Sequence, residues 1–332
     1  MKTNTRDRIV EYIRAKGQVR VYDLVRFLTI SNVAVHKQLN VLLQAGILQR
    51  AGTPPLVFYS IVSGQEKGVA PKVRLGSATE HAIVENFLSI TPQGQLLYGM
   101  DGFLYWAREY QQGKDLAKLA EVYALVIKQK RNTAPHGWIE ATEKMTDTFG
   151  VSFIDRLLFA DVYSHPLFGR TKLATLVMHA KQSQNKALID EIAQTVKPII
   201  EKIILRFDVN AIGFIPPTVP RPLQFMDELS VALGLRLPRV DVVKIIPGQI
   251  PVPQKTLTRL QDRVVNAKSS IYLREAAELS YPTVLLIDDV AGSGASFQET
   301  AKKIKTVHRQ VTSVIAFAIV GNIKGYDIIR QI

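Results

Sequence analysis

The chain has 332 residues, of which 47% are hydrophobic and 21% are charged, and it contains no cysteine. This balance is typical of globular proteins and excludes a mainly disordered chain, because disordered chains hold too few apolar residues to build a core. At roughly 100–200 residues per domain, the length predicts two or three domains. The lack of cysteine excludes disulfides, thiol catalysis, iron–sulfur clusters and cysteine-ligated zinc.

The positive charge is concentrated near the start of the chain. There are 42 Lys and Arg against 29 Asp and Glu, a net charge of +13, and residues 1–62 hold nine of the cations but only three of the acids. A basic N-terminal module indicates a polyanionic partner such as nucleic acid, although general solubility would also account for the charge. The first residues lack the apolar core of a signal peptide, and the longest strongly apolar stretch, residues 314–320, is far shorter than the ~20 residues that span a bilayer. We therefore expect a cytoplasmic protein without membrane association.

Residues 1–63 predict a small module of alternating helices and short strands. Helical spacing of apolar residues predicts three helices, at residues 6–15, 22–28 and 31–45. Runs rich in β-forming residues predict three strands, at residues 18–21, 47–51 and 56–62. Ser31 is suited to cap the third helix, and Gly17 and Gly46 are suited to end the first and third.

The rest of the chain divides into a helical middle region, residues 64–164, and a mixed region, residues 165–332. A Gly/Ser/Lys-rich stretch at residues 63–71 predicts a linker. The middle region predicts helices at residues 81–90, 96–111, 116–129 and 138–148. The last region alternates predicted helices, at 173–181, 186–205, 226–233 and 297–306, with predicted strands, at 211–215, 240–246, 283–287 and 311–320. This alternation predicts an α/β domain with a mainly parallel sheet.

The element order in residues 5–62 resembles the winged helix-turn-helix family, with segment 31–48 similar to its recognition helix and the start of its wing. The resemblance implies binding to double-stranded DNA, and a dimerisation or protein-binding winged helix is the alternative. On a helix, Val35, Leu39 and Leu42 share one face and would pack inward. The residues expected to contact DNA are Ser31, Val33, His36, Lys37, Asn40 and Arg50. Asn40 would read a base edge, Lys37 and Arg50 would meet phosphates, and Ser31 would offer its hydroxyl and nearby N–H groups to a phosphate.

The strongest motif in the sequence is Thr283-Val-Leu-Leu-Ile-Asp-Asp-Val-Ala-Gly-Ser-Gly-Ala-Ser-Phe. Its apolar run predicts a buried strand, with Asp288 and Asp289 at the carboxyl end, where open α/β sheets bind ligands. The small residues that follow lead into a helix, and the N–H groups of such a turn bind anions. Two carboxylates suit the two hydroxyls of a ribose, so the motif predicts a phosphorylated sugar as ligand. The alternative is a buried strand followed by a Gly/Ser linker.

This run resembles the phosphoribosyl diphosphate (PRPP) signature of type I phosphoribosyltransferases, and the resemblance extends across residues 165–332, most closely to the ComF-like branch. It implies that Asp288 and Asp289 contact the ribose hydroxyls. It also implies that the 5′-phosphate is bound by the loop residues Ala291, Gly292, Ser293, Gly294, Ala295 and Ser296. Mg²⁺ would arrive with the diphosphate, and no metal bound by protein ligands alone is expected, because the six histidines lack metal-ligand spacing.

Two further stretches carry the same resemblance. Residues 214–222 stand where the family has its Pro-rich pyrophosphate loop, and residues 254–267 resemble its mobile loop. The resemblance implies that Arg221 and Arg263 stabilise the diphosphate; an exposed charged helix is the alternative for the second stretch. The family's cysteine cluster is absent, with the winged helix in its place, and its Arg-Gly-Phe-Asn stretch is replaced by residues 221–226.

A DNA-reading module joined to a sugar-phosphate site predicts a ligand-responsive transcription regulator that acts as a homodimer. The plan is similar to that of the purine operon repressors. PRPP or a related nucleotide would bind near residues 288–296, order the loop at residues 249–267 and change the placement of the winged helices. The alternatives are an active phosphoribosyltransferase, which joins a base to PRPP and releases diphosphate, and an interaction protein with a vestigial pocket. Five aromatic residues of the middle region form either helix core or an effector pocket: Tyr98, Phe103, Tyr105, Trp106 and Tyr110.

Overall fold

The computed structural model describes residues 4–62, 74–274 and 281–322, and the chain divides into two compact units, Met1–Lys72 and Val73–Ile332. The predicted linker at residues 63–71 lies outside the described residues. The fold is mixed α/β. No helix within the described ranges is long and apolar enough to cross a membrane.

The first unit contains three helices and a three-stranded antiparallel sheet. The helices are α1 (Thr5–Lys16), α2 (Val21–Leu28) and α3 (Asn32–Gln44). The strands are β1 (Gln18–Val19), β2 (Leu48–Ala51) and β3 (Phe58–Ile61), in the sheet order β1-β3-β2. All six elements match the predicted ones, with ends that differ by no more than two residues.

The core of the first unit explains why α3 forms where it does. The Ser31 side chain accepts a hydrogen bond from the Ala34 N–H at 3.2 Å and so caps the helix. The inward face of α3, Val35, Leu39 and Leu42, is buried as predicted. These side chains pack in one apolar cluster with the first two helices and the sheet, and the opposite face of α3 is therefore left to solvent.

The second unit begins with three helices around an aromatic core. They are α4 (Ser77–Asn86), α5 (Gly99–Tyr110) and α6 (Leu116–Thr133). Between α4 and α5 lies the hairpin of β4 (Leu88–Ile90) and β5 (Leu96–Tyr98), where the sequence predicted only helix. The turn of the hairpin contains Gly94 at φ +82°. This backbone conformation favours glycine and cannot continue an α-helix. Phe103 and Trp106 are buried in the helix core, whereas Tyr98 and Tyr110 are exposed, so these aromatic residues do not enclose one pocket together.

The remainder of the second unit contains ten strands and six α-helices within the described residues. The strands are β6 (Ile139–Glu140), β7 (Arg156–Val162), β8 (Ser164–His165), β9 (Gly169–Arg170), β10 (Ala211–Phe214), β11 (Arg239–Val240), β12 (Val242–Lys244), β13 (Ile271–Leu273), β14 (Thr283–Ala291) and β15 (Ser313–Gly321). The helices are α7 (Thr142–Phe149), α8 (Lys172–Ser183), α9 (Lys186–Arg206), α10 (Phe225–Leu233), α11 (Leu260–Ser270) and α12 (Ala295–Val307).

Six of these strands form one sheet in the order β11-β10-β14-β15-β7-β6. Its first five strands run parallel, and only β6 is antiparallel to its neighbour. The predicted mainly parallel sheet is therefore confirmed. Because β6 and β7 come from the predicted middle region, the sheet extends across the boundary predicted at residue 164.

Helices cover both faces of this sheet. Leu285 and Ile287 of β14 pack in a cluster with α8, α9 and α10, whereas Val284 and Leu286 pack in a second cluster with α7, α11 and α12. The chain leaves β10 towards β11 on one side, and it leaves β14 towards β15 on the other. The loops after β10 and β14 therefore diverge, and the crevice between the two strand ends is where open α/β sheets bind ligands.

We expect Leu286→Ala to lower the free energy of unfolding of the second unit by about 2–5 kcal/mol, because it empties space in a fully buried central strand. Trp106 and Trp138, the two tryptophans of the chain, both lie in this unit, so their fluorescence during chemical denaturation reports its unfolding. The control Leu205→Ala removes a side chain that is 83% exposed and should change the free energy by less than about 0.5 kcal/mol. Equal losses in the two variants would contradict the assigned core.

Candidate ligand-binding site

A cavity of about 330 Å³ lies at the carboxyl ends of β10 and β14. Its walls come from the end of β14 and the loop that follows, the Pro-rich loop after β10, the last turns of α8, and the segment before α11. The lining includes every residue that the sequence analysis assigned to sugar, phosphate and diphosphate binding: Arg221, Arg263, Asp288, Asp289, Ala291, Gly292, Ser293, Gly294, Ala295 and Ser296. The fold thus brings three separate sequence motifs to one cavity.

The two carboxylates stand side by side at the rim of the sheet. Asp289 is only 6% exposed, and its carboxylate forms an ion pair with the ammonium group of Lys181. The N–H of Asp289 donates to Oδ1 of Asp288 at 2.8 Å. Asp288 is half-buried and borders the cavity, so a ligand in the cavity can reach its carboxyl group.

Burial, and then the charge of Asp289, raise the pKa of Asp288 well above its usual range. Lys181, the Asp289 N–H and Lys244 act in the opposite direction but do not cancel this effect. The Asp288 carboxyl therefore keeps its proton to a higher pH than an ordinary aspartate does. A cation or hydroxyl donors brought by a ligand would favour the ionised carboxylate instead.

Cationic side chains surround the acids. Burial would lower the pKa of Lys181, but the charge and hydrogen bond of Asp289, with the charge of Asp288, outweigh it and raise this pKa. Burial lowers the pKa of Lys244, which the two carboxylates only partly oppose. Nη1 of Arg221 donates to the backbone carbonyl of Lys181, which ties the Pro-rich loop to α8.

The loop after the acids leads directly into α12. Gly294 caps this helix at φ +82°, and a Cβ at this position would lie 2.7 Å from Sδ of Met145, so glycine is required for both conformation and space. Oγ of Ser293 accepts from the Ala295 N–H at 3.3 Å, and the Gln298 N–H donates to the Gly294 carbonyl at 2.9 Å. The N–H groups of the intervening first turn, at Ser296 and Phe297, have no partner within the helix. Both residues border the cavity, so this turn is suited to hold an anion.

The segment expected to be a mobile loop, with an exposed charged helix as the alternative, is partly helical. Residues 260–270 form α11, and Ala267 lies in the apolar core. Nε2 of Gln254 donates to the Arg263 carbonyl at 2.9 Å and to Oδ1 of Asn266 at 3.1 Å, and Nε of Arg263 donates to the Leu257 carbonyl at 2.8 Å. These bonds hold the segment against α11. Arg263 and Lys255 border the cavity.

Arg259, the third cation of this segment, has a different place. It is exposed and its guanidinium pairs with Asp262 at 2.8 Å, away from the residues that line the cavity.

Among the lining residues that the sequence did not assign to the site, Lys181, Lys244 and Tyr163 carry groups that could bind a ligand. The sequence does distinguish Lys244, because it is a lysine within the otherwise apolar run of residues 242–246. Lys181 is the last residue of a predicted helix and carries no motif. Tyr163 follows β7, a strand that was not predicted.

The residues predicted to contact DNA lie in the first unit. Val33, His36, Lys37 and Asn40 all lie on the exposed side of α3, and Val33 is 80% exposed. Arg50 is exposed on β2, and the Ser31 hydroxyl caps α3. The structure therefore leaves these side chains accessible, and their contact with DNA stays a prediction.

Comparison with known proteins assigns no family to this chain. Neither the protein-family models nor the curated proteins include a match. Within the described residues, no three His, Asp or Glu side chains are grouped so that they could hold a metal ion. The geometry of the cavity is therefore the basis for the functional assignment.

We expect Asp288→Asn to raise the melting temperature at pH 7. Because the folded-state pKa of Asp288 lies above that of an unfolded aspartate, about 4, folding binds a proton. The wild-type protein therefore loses stability as the pH rises from about 4 towards the folded-state pKa, and asparagine, which cannot ionise, avoids this loss.

Tryptophan fluorescence during heating, across a pH series, measures the difference between variant and wild type. This difference should disappear below about pH 4. Asp147→Asn, at an exposed position of α7, is the control and should leave the pH profile unchanged. A variant that melts below the wild type at pH 7 would contradict the assigned environment of Asp288.

Proposed function

We propose that the second unit binds PRPP or a closely related phosphorylated ribose, that the first unit binds double-stranded DNA, and that the chain is a ligand-responsive transcription regulator. The observation that carries the proposal is the position of two adjacent carboxylates next to the N-terminus of α12 in one cavity. A sugar diol and a phosphate on one carbon skeleton match these two features together.

The charges of the cavity support a ligand with several phosphate groups. The cavity is lined by two carboxylates and by five cationic side chains, those of Lys181, Arg221, Lys244, Lys255 and Arg263. Because Asp289 already pairs with Lys181, the remaining cations offer an excess of positive charge to an anion. The volume, about 330 Å³, suits a small ligand of the size of a sugar phosphate.

Divalent metal chemistry is compatible with this site. Mg²⁺ prefers carboxylate and phosphate oxygens and usually binds through one or two carboxylates plus the phosphates of a substrate. Asp288 and Asp289 supply two carboxylates that line the same cavity. The metal would then enter with the ligand and would favour the ionised form of Asp288.

The order α1-β1-α2-α3-β2-β3, with an antiparallel sheet formed by the three strands, supports a winged helix-turn-helix assignment for the first unit. Its third helix has 13 residues and so a length of about 20 Å, enough to lie along a major groove. The exposed face of this helix offers a cation, an amide and an imidazole to the bases and phosphates. The net positive charge of residues 1–62 favours such a partner.

Regulation would require the two units to be coupled, and the coupling can be small. A change of about 1–3 kcal/mol alters DNA affinity about 5- to 150-fold. We propose a homodimer, because two symmetric DNA-binding modules match a palindromic site.

An active phosphoribosyltransferase is the second candidate. It is favoured by the apolar side chains that line the cavity, among them Val177, Phe225 and Met226, because they offer a surface on which a base can pack. This enzyme would join a base to the ribose of PRPP and release diphosphate. Release of diphosphate from PRPP only when a base is added identifies the enzyme, and its absence with every common base favours the sensor.

We expect Asp288→Asn with Asp289→Asn to weaken binding of PRPP in the presence of Mg²⁺ by at least about tenfold, because two charge-assisted contacts to the ribose and metal are lost. Isothermal titration calorimetry measures the affinity. Asp147→Asn is the matched control and should bind as the wild type does. Unchanged affinity in the double variant would contradict the site assignment.

We expect Asn40→Ala to weaken binding to the preferred DNA sequence by about 1–3 kcal/mol, because a bidentate base contact is lost. Lys37→Ala should reduce the salt slope of binding by about one, because one phosphate contact is removed. Fluorescence anisotropy over a salt series, on DNA selected from genomic fragments, measures both effects. Lys16→Ala, an exposed lysine at the end of α1, is the control. Equal weakening by all three variants, on every sequence, would contradict specific recognition by α3.

A further inference from the structure

A second cavity, of about 170 Å³, lies beside the carboxyl end of β7. Its walls come from α4 and α6, the end of β7, the β8–β9 hairpin, and the first turns of α8. Among the described residues, the two cavities share no lining residue. The second cavity is therefore a separate space, and the proposed function does not use it.

Aromatic rings form the broad walls of this cavity. Phe87, Tyr123 and Phe168 are each less than 10% exposed. The Phe87 and Tyr123 ring centroids are 5.0 Å apart, and those of Tyr123 and Phe168 are 4.9 Å apart, with the rings close to perpendicular in both pairs. All three rings border the cavity, and aromatic surface of this kind favours a flat, aromatic ligand.

A buried ion pair lies at one side. Asp161 is 4% exposed, its Oδ1 accepts from the Val162 N–H at 2.8 Å, and its Oδ2 lies 2.8 Å from the ammonium of Lys130. Burial raises the pKa of Asp161, and Lys130 opposes this rise. The Asp161–Lys130 pair is neutral overall and so does not itself attract a charged ligand. Arg170 and Lys172 also border the cavity, and they donate to the Tyr163 hydroxyl and the Glu85 carbonyl.

The Tyr123 hydroxyl and the His165 imidazole are two uncharged hydrogen-bonding groups of the second cavity. Burial, and then the charge of Asp161, raise the pKa of Tyr123, so its hydroxyl stays protonated. Nδ1 of His165 accepts from the Leu167 N–H at 3.1 Å, which assigns the proton of the neutral ring to Nε2. Burial also lowers the pKa of His165 and favours the neutral ring.

We propose that the second cavity binds a small, uncharged, planar heterocycle with hydrogen-bond donors and acceptors on its edges, the chemical class of the nucleobases. The aromatic walls suit the faces of such a ring, and the carboxylate, hydroxyl and imidazole N–H suit its edges. The volume of about 170 Å³ lies below the roughly 300–1,000 Å³ of sites for larger ligands, so a base without its sugar phosphate fits.

The second cavity is joined to the first by common structural elements. The first turns of α8 line the second cavity through Lys172 and Leu176, and its last turns line the first cavity through Lys181. Nε of Arg170, in the second cavity, also donates to the hydroxyl of Tyr163, in the first, at 3.4 Å. A base in the second cavity would thus contact the framework that holds the sugar-phosphate site.

Isothermal titration calorimetry of the full chain with adenine, guanine, hypoxanthine and uracil tests the proposal. At least one base should bind one-to-one with a Kd tighter than about 1 mM. Tyr123→Phe keeps the ring and removes only the hydroxyl, so it should weaken that base about threefold to tenfold. Tyr110→Phe, at a tyrosine that is 68% exposed, is the matched control and should have no effect.

A second variant tests the proposal independently if Tyr123→Phe perturbs folding. Thr195 lies at an exposed position of α9 on the rim of the cavity, so Thr195→Trp should block the base while leaving the melting temperature unchanged. Failure of all four bases to bind, or binding that neither variant weakens, would overturn the proposal. Competitive displacement by PRPP, in which the apparent Kd of the base rises in proportion to the PRPP concentration without saturating, would also overturn it, because the base would then occupy the first cavity. Because the base titration requires no PRPP, failure of either proposal can be recognised without the other.

Discussion

Two adjacent carboxylates at the end of a central parallel strand are the constraint on which the site depends. Burying like charges side by side is unfavourable, so the fold must supply cations or hold a proton. This protein does both, because Lys181 pairs with Asp289 while burial raises the pKa of Asp288. Perturbed carboxyl groups of this kind are typical of functional sites, and a ligand that brings a cation or hydroxyl donors would offset the unfavourable charge of the two acids.

The topology of the sheet brings together the chain segments that line the proposed site. The sheet order puts β10 next to β14 while their crossovers leave on opposite sides, and the resulting crevice receives both the Pro-rich loop and the start of α12. Gly294 permits the turn between acids and helix, since its φ is +82° and Met145 occupies the space of a side chain. The same sheet continues to β7, whose carboxyl end borders the second cavity. The carboxyl edge of a single sheet therefore borders two cavities with chemically different linings.

The sequence predicted those features of the structure that depend on residues close to one another in the chain. Asp288, Asp289 and the loop proposed to bind phosphate follow one another in the chain, so one contiguous motif contains both the strand and the groups of the proposed site. The ion pair between Lys181 and Asp289 joins residues 108 positions apart, and no local pattern reveals it. Strand β7 was missed because residues 156–162 form a short apolar run without a distinct period. Residues 254–267 were expected to form a mobile loop because of the family resemblance, with an exposed charged helix as the alternative. The structure has the helix α11 there, but Arg263 and Ala267 are buried, because they pack against elements that are distant in the chain.

The most direct test of the account is a crystal structure of the full chain with PRPP and Mg²⁺. The account predicts the ribose hydroxyls within hydrogen-bonding distance of Asp288 and Asp289, and the 5′-phosphate on the backbone N–H groups of residues 292–297. The Lys181–Asp289 pair should open or rearrange as the metal and sugar enter. PRPP bound elsewhere, or a phosphate group beside the two acids with the loop unoccupied, would contradict the assignment of this cavity.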